Sequence, residues 1–176
     1  MGAKYLAVAL LSNVALSSLS LGCNPTGNEG AKWLGVALRS NATLKHLRLD
    51  DTHVGRAGVM WIAAILRCII ALASLDMSFN QILDVGAQAL ASVLESNITL
   101  TALNLRDNGI SASGVEQLMS VTRETNPGHR KRSQARVADV ICAAIIQIDL
   151  YHGGVRTQHT HQLFHTRRAY AAVTQV

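Results

Sequence analysis

The chain has 176 residues, of which 49% are hydrophobic, 15% charged and only 4% aromatic. That length and apolar share suit one packed domain and exclude disorder throughout, with a core made of Leu, Ala, Val and Ile rather than rings. The formal charge of +5 does not mark a nucleic-acid surface: residues 1–125 hold nine Lys/Arg and nine Asp/Glu, while 126–176 hold seven Lys/Arg against Asp139 and Asp149.

The first predicted element is a helix in the apolar N-terminal run of a partial repeat over residues 1–15. It imitates a secretory signal, because Lys4 precedes an apolar run from Tyr5 to Leu11. Its phase gives the better account. Gly2, Ala3, Leu6, Leu10 and Asn13 match Gly30, Ala31, Leu34, Leu38 and Asn41 after 28 residues, so the run is the helical half of a repeat. The glycosylation patterns at Asn41 and Asn97 do not alter that reading.

The same period carries through the chain. Leu16, Leu44, Leu72 and Leu100 open four units; Leu19, Leu47, Leu75 and Leu103 follow, then Leu21, Leu49, Met77 and Leu105. This L-x-x-L-x-L pattern alternates, as on a short strand with its leucines on one side. Farther on, Gly30, Gly58, Gly86 and Gly114 recur, and Leu34, Ile62, Leu90 and Leu118 lie at helical spacing. A strand and a helix in 28 residues leave only short turns. Successive strands must then run parallel, with helices on the outer side. The stretch from Val59 to Leu75 is nearly all apolar, but it keeps the phase and contains Arg67, so it is read as buried helix and strand rather than a membrane span.

Two asparagine positions recur. Asn24, Asn80 and Asn108 fall at the sharp turn out of each strand, where a buried carboxamide pairs backbone groups that the bend leaves open. Thr52 holds that place in the second unit and predicts a weaker rung. Asn13, Asn41 and Asn97 follow the helices, where a left-handed residue is expected. Ile69 replaces Asn there, so the link from 67 to 72 is expected to take a different path.

The segments LASLDMSFNQILDVGAQALASVLESN from Leu72 and LTALNLRDNGISASGVEQLMSV from Leu100 resemble ribonuclease-inhibitor-like leucine-rich repeats, the class found in NOD-like receptor repeat domains and in the activator of the Ran GTPase. The resemblance implies a right-handed α/β solenoid, a horseshoe segment with its parallel sheet inside and helices outside. It also implies a protein partner on the concave sheet or on the strand-to-helix edge. Residues 1–125 form the repeat domain, with a partial repeat over 1–15 and repeats from 16, 44, 72 and 100. Because the chain opens in mid-repeat, a shortened family member, a fragment of a larger receptor and an incomplete gene model are all open readings.

Between the inward leucines the strands carry three columns facing away from the helices. They are Ser18, His46, Ser74 and Ala102; Ser20, Arg48, Asp76 and Asn104; and Gly22, Asp50, Ser78 and Arg106. Just past the sheet stand Cys23, Asp51, Phe79 and Asp107. Arg48, Asp50, Asp76, Phe79, Asn104 and Arg106 are the candidate contacts, with Phe79 as the single large apolar member. The plainer reading is that Arg48 and Asp76 pair across neighbouring strands and meet no ligand. Trp33 and Trp61, one period apart on helices, are read either as a surface patch or, more simply, as packing between helices.

No serine or cysteine stands in register as a nucleophile beside His46 and His53, and no phosphate-binding loop is present, so neither catalysis nor a cofactor is expected. Regulation of a GTPase through the loop residue Arg56 is the alternative function. Cys23, Cys68 and Cys142 are odd in number and far apart, and are read as reduced thiols. A cytoplasmic monomer with no membrane or metal partner is expected.

The register fails after Glu124. Residues 126–136 read as an exposed basic linker, with a nuclear address near 129–136 as one reading. Val137 to Ile148 has helical spacing and forms either a cap or, read from Ile145, a repeat displaced by an insertion. His159, His161 and His165 are read as a solvated tail.

Overall fold

The computed structural model of the chain describes residues 2–94 and 96–123. The expectations for 126–176, including the basic linker, the helix or repeat near Ile145, Cys142 and the three tail histidines, lie outside the described residues.

Within them the order is α1 (Gly2–Ser12), β1 (Ser18–Ser20), α2 (Gly27–Ser40), β2 (His46–Arg48), α3 (Arg56–Leu66), β3 (Ser74–Asp76), α4 (Leu83–Leu94), β4 (Ala102–Asn104) and α5 (Ala112–Arg123). The four strands form one sheet in chain order. All pairings are parallel, and Leu19, Leu47, Leu75 and Leu103 lie opposite one another. The α/β leucine-rich-repeat solenoid follows, since α2, α3 and α4 are each the crossover between parallel neighbours and every helix packs on the next in chain order.

Each strand is only three residues long, but the pairing continues into the turns. Leu21, Leu49 and Met77 donate their N–H groups to the carbonyls of Arg48, Asp76 and Asn104 at 2.7–2.9 Å. Cys23, Asp51 and Phe79 do the same to Asp50, Ser78 and Arg106, all at 2.9 Å. The core lies between sheet and helices: Leu47, Leu49, Leu75, Met77, Leu103 and Leu105 are buried against Leu34, Ile62, Leu90 and Leu118. Leu16, Leu19 and Leu21 of the first unit are only partly buried. The recurring glycines let each helix approach the turn before it. A Cβ on Gly58 would lie 2.7 Å from Asn28 Oδ1 and 2.8 Å from Val54 Cγ1.

α1 packs on α2 and buries Ala7 and Leu10, in keeping with its repeat phase. The apolar stretch from Val59 divides into α3 and β3, and no helix among the described residues is long and apolar enough to cross a membrane.

The turn asparagines behave as expected where a neighbour precedes them. Asn80 Nδ2 donates to the carbonyls of Met77 and Ser78 in its own unit and of Leu49 in the one before. Asn108 repeats the set on Leu105, Arg106 and Met77. Thr52 is buried but has one donor, which reaches Leu49, while Asn80 Oδ1 takes the N–H groups of Thr52 and Val54. Asn24 is exposed and donates only within its own unit, to Leu21 and Gly22.

The second asparagine set corrects an expectation. Asn13, Asn41 and Asn97 are not left-handed; Asn41 is extended, at φ −83° and ψ 121°. They work through their side chains. Asn41 Oδ1 accepts from Thr43 and Leu44, and its Nδ2 donates to the carbonyls of Leu10 and Asn13. Asn97 accepts from Thr99 and Leu100 and donates to Leu66. Both asparagines are buried and engaged, which removes them as glycosylation acceptors in the folded chain. Ile69 has no amide to reach Leu38 in this way. There the helix stops at Leu66, equivalent to Leu38, whereas α2 runs on to Ser40, and Cys68 N–H closes a turn on Ile65 at 2.7 Å.

Candidate protein-binding face

The three predicted columns stand on the side of the sheet opposite the helices. Their exposure is uneven: Ser18, Ser20, His46, Arg48 and Ala102 are open, Asp50, Asp76, Asn104 and Arg106 are half-buried, and Ser78 is buried.

The expected Arg48–Asp76 pair does not form. Their Cα atoms are register partners, yet Arg48 turns along its own strand and grips Asp50 with both arms of the guanidinium, Nε to Oδ1 and Nη2 to Oδ2, each at 3.1 Å. A two-point fork to a carboxylate outweighs a single cross-strand contact. Gly22 makes room for it, since a Cβ there would meet Asp50 Oδ1 at 2.6 Å. The hydrogen bond and charge of Asp50 raise the Arg48 pKa further, with smaller help from Asp76, so the guanidinium stays charged. Asp76 Oδ1 is engaged elsewhere, accepting from Ser78 N–H at 3.0 Å and Ser78 Oγ at 2.7 Å. Asn104 brackets the next unit in the same way, accepting from Arg106 N–H at 3.1 Å.

Past the sheet, Cys23, Asp51, Phe79 and Asp107 form a column that is left-handed throughout, at φ values of 57°, 51°, 55° and 53°. The bend that starts the return to the helix demands this conformation. Asp tolerates it; a ring at this place is strained, on the order of 1–2 kcal/mol. Phe79 nevertheless stands 48% exposed. Arg106 places its guanidinium 5.2 Å from the ring centroid and hydrogen-bonds Asp107 through Nε at 2.8 Å. Phe79, Arg106 and Asp107 are thus one assembly. Sequence reasoning had the three residues but not their contact or their common backbone state.

Arg56 corrects another expectation: it is the first residue of α3 rather than a loop residue. Its register equivalents Asn28 and Asp84 accept hydrogen bonds from the start of the following helix, Asn28 from Gly55 and Gly58, Asp84 from Ser111. A guanidinium has no acceptor to offer there. Among the described residues no cluster of His, Cys, Asp or Glu is arranged to hold a metal. A cleft of about 530 Å³ opens between α1 and the start of α2, lined by Leu6, Leu21, Asn24 and Trp33.

The comparisons with known proteins agree with the architecture. A leucine-rich-repeat family model matches residues 40–63, 72–91 and 96–119. No curated protein matches the chain. Among solved structures, actin-binding site 2 of leiomodin-1 is similar at a TM-score of 0.64 and 17% identity, covering 96% of each chain. The tropomodulin C-terminal domain of Caenorhabditis elegans is similar at 0.63 and 10% identity, over 85% of this chain and 97% of that one. At such identities the likeness is one of fold. Family model, parallel sheet and repeating register together identify the described part of the chain as a leucine-rich-repeat solenoid.

Proposed function

We propose that the chain is a protein-binding module, a scaffold or sensor without catalysis of its own. Its partner docks on the strand side and the left-handed edge, over Arg48, Asp50, Asp76, Phe79, Asn104 and Arg106. The observation that carries this reading is Phe79: a half-exposed ring held in a strained backbone state and stacked under Arg106. An aromatic and an arginine fixed before contact lose little freedom on binding, which is the property of an interface anchor. The Arg48–Asp50 fork adds a fixed polar pattern beside it.

The repeat length and the turn asparagines support the ribonuclease-inhibitor-like subtype seen in NOD-like receptor repeats. The exposed thiols of Cys23 and Cys68 suit a reducing compartment, so the reading places a monomer in the cytoplasm. Actin is the first partner to test, since one protein of similar fold is an actin-binding site.

The test is binding of purified actin to the full chain by fluorescence anisotropy. Phe79→Ala and Arg106→Ala are expected to weaken it by about tenfold or more each, or ~1.4 kcal/mol. Unchanged affinity in both variants would remove this face from the interface, and absence of binding would remove actin.

A further inference from the structure

The helix side carries a second surface that the strand-side reading does not use. Tyr5, Trp33 and Trp61 occupy one register position on α1, α2 and α3, so one aromatic side chain stands on each of three adjacent helices. Lys4 lies over the Trp33 ring at 4.9 Å, and Lys32 over the Trp61 ring at 5.2 Å. The lysine of one helix therefore meets the tryptophan of the next. Val8 and Val36 stand exposed beside them.

The fold does not require these residues. At the same positions α4 and α5 carry Gln88, Ala89 and Ser92, then Glu116, Gln117 and Ser120, and they stack in the same manner. Trp33 is partly buried, but Tyr5 is 72% and Trp61 47% exposed. Both expectations for the tryptophans hold in part: Trp33 packs, and Trp61 belongs to a surface patch.

The chemistry of the patch selects its occupant. Beside the rings stand Lys4 and Lys32, with one carboxylate, Glu29, 3.9 Å from Lys32; Arg39 and Arg56 add to the net positive charge of α1 to α3. The net positive charge of these helices favours a negatively charged occupant over a second copy of the same face. Protein interfaces share the enrichment in Trp and Tyr but favour Arg and are depleted in Lys, whereas Trp and Tyr together with Lys suit a layer seated among lipid headgroups. There the rings lie at the apolar boundary and the lysine stems reach back to phosphate. The geometry points to a peripheral docking surface for an anionic phospholipid bilayer, made by the outer faces of α1, α2 and α3. This departs from the expectation of no membrane partner, which rested on the lack of a spanning helix; adsorption at a surface needs none.

Trp33 and Trp61 are the chain's two tryptophans, so intrinsic fluorescence reads the patch directly. The full chain is mixed with phosphatidylcholine vesicles that contain or lack phosphatidylserine, including a set with brominated acyl chains. Expected are co-sedimentation with the phosphatidylserine vesicles, a blue shift of emission, and quenching by the brominated chains. Tyr5→Ser with Trp61→Ser, or Lys4→Glu with Lys32→Glu, should each lower partitioning by about tenfold or more. Circular dichroism checks that the variants fold, and quenching of the unaltered chain needs no variant. Vesicles that leave emission unchanged overturn the proposal. So does sedimentation without quenching that survives both double substitutions, the signature of adsorption through the basic residues of 126–176.

Discussion

The first and third repeat units carry the same strand leucine and the same turn asparagine at the same register and use them differently. Leu75 is buried between two neighbours, while Leu19 is only partly covered. Asn80 donates to three carbonyls and accepts from the preceding unit; its equivalent Asn24 is exposed and donates only at home. Nothing within the units accounts for this. The worth of a repeat residue is set by the unit on its other side, as expected for a one-dimensional stack.

The largest expected effect tests that contrast in the core. Leu75→Ala should cost on the order of 2–5 kcal/mol of unfolding free energy, and Leu19→Ala roughly half as much, as read by urea denaturation. Equal costs would mean that the units fold independently.

Next comes the turn. Removing the carboxamide in Asn80→Ala leaves buried carbonyls and N–H groups unpaired and should cost about 3 kcal/mol, whereas Asn24→Ala, open to water, should cost less than ~1 kcal/mol. If the two substitutions lowered the melting temperature alike, the bond from Asn80 to the preceding unit would carry no weight.

The smallest effect runs the other way. An asparagine at 52 would regain the missing donor toward Leu21, so Thr52→Asn should raise stability by about 1 kcal/mol. A loss instead would show that the buried Thr52 hydroxyl, bonded to Leu49 at 2.7 Å, already suits its site.

The two asparagine sets also show how far sequence reasoning reached. For the turn set the role was legible, since a buried amide at a bend has only backbone to bind. For Asn13, Asn41 and Asn97 the position was legible and the role was not: a helix end can be closed by a left-handed residue or by a side-chain bracket, and both fit Asn. The structure shows the bracket, with Asn41 extended and buried. Arg48 follows the same logic. Its place beside Asp76 was readable from the period, but Asp50 offers a fork and Ser78 occupies Asp76.

What the sequence determined alone was the address of the residues in register: the 28-residue period assigns the recurring leucines to the core side and the strand residues between them to columns, because parallel stacking in register is how this pattern covers its apolar side chains. What only the tertiary structure decided was the partner each polar or aromatic group takes at its address. Phe79 under Arg106, the lysines over Trp33 and Trp61, and Arg48 on Asp50 are competitions among neighbours brought together by the stack. Their outcome depends on ångström-scale reach and backbone angle, which a repeat pattern does not encode.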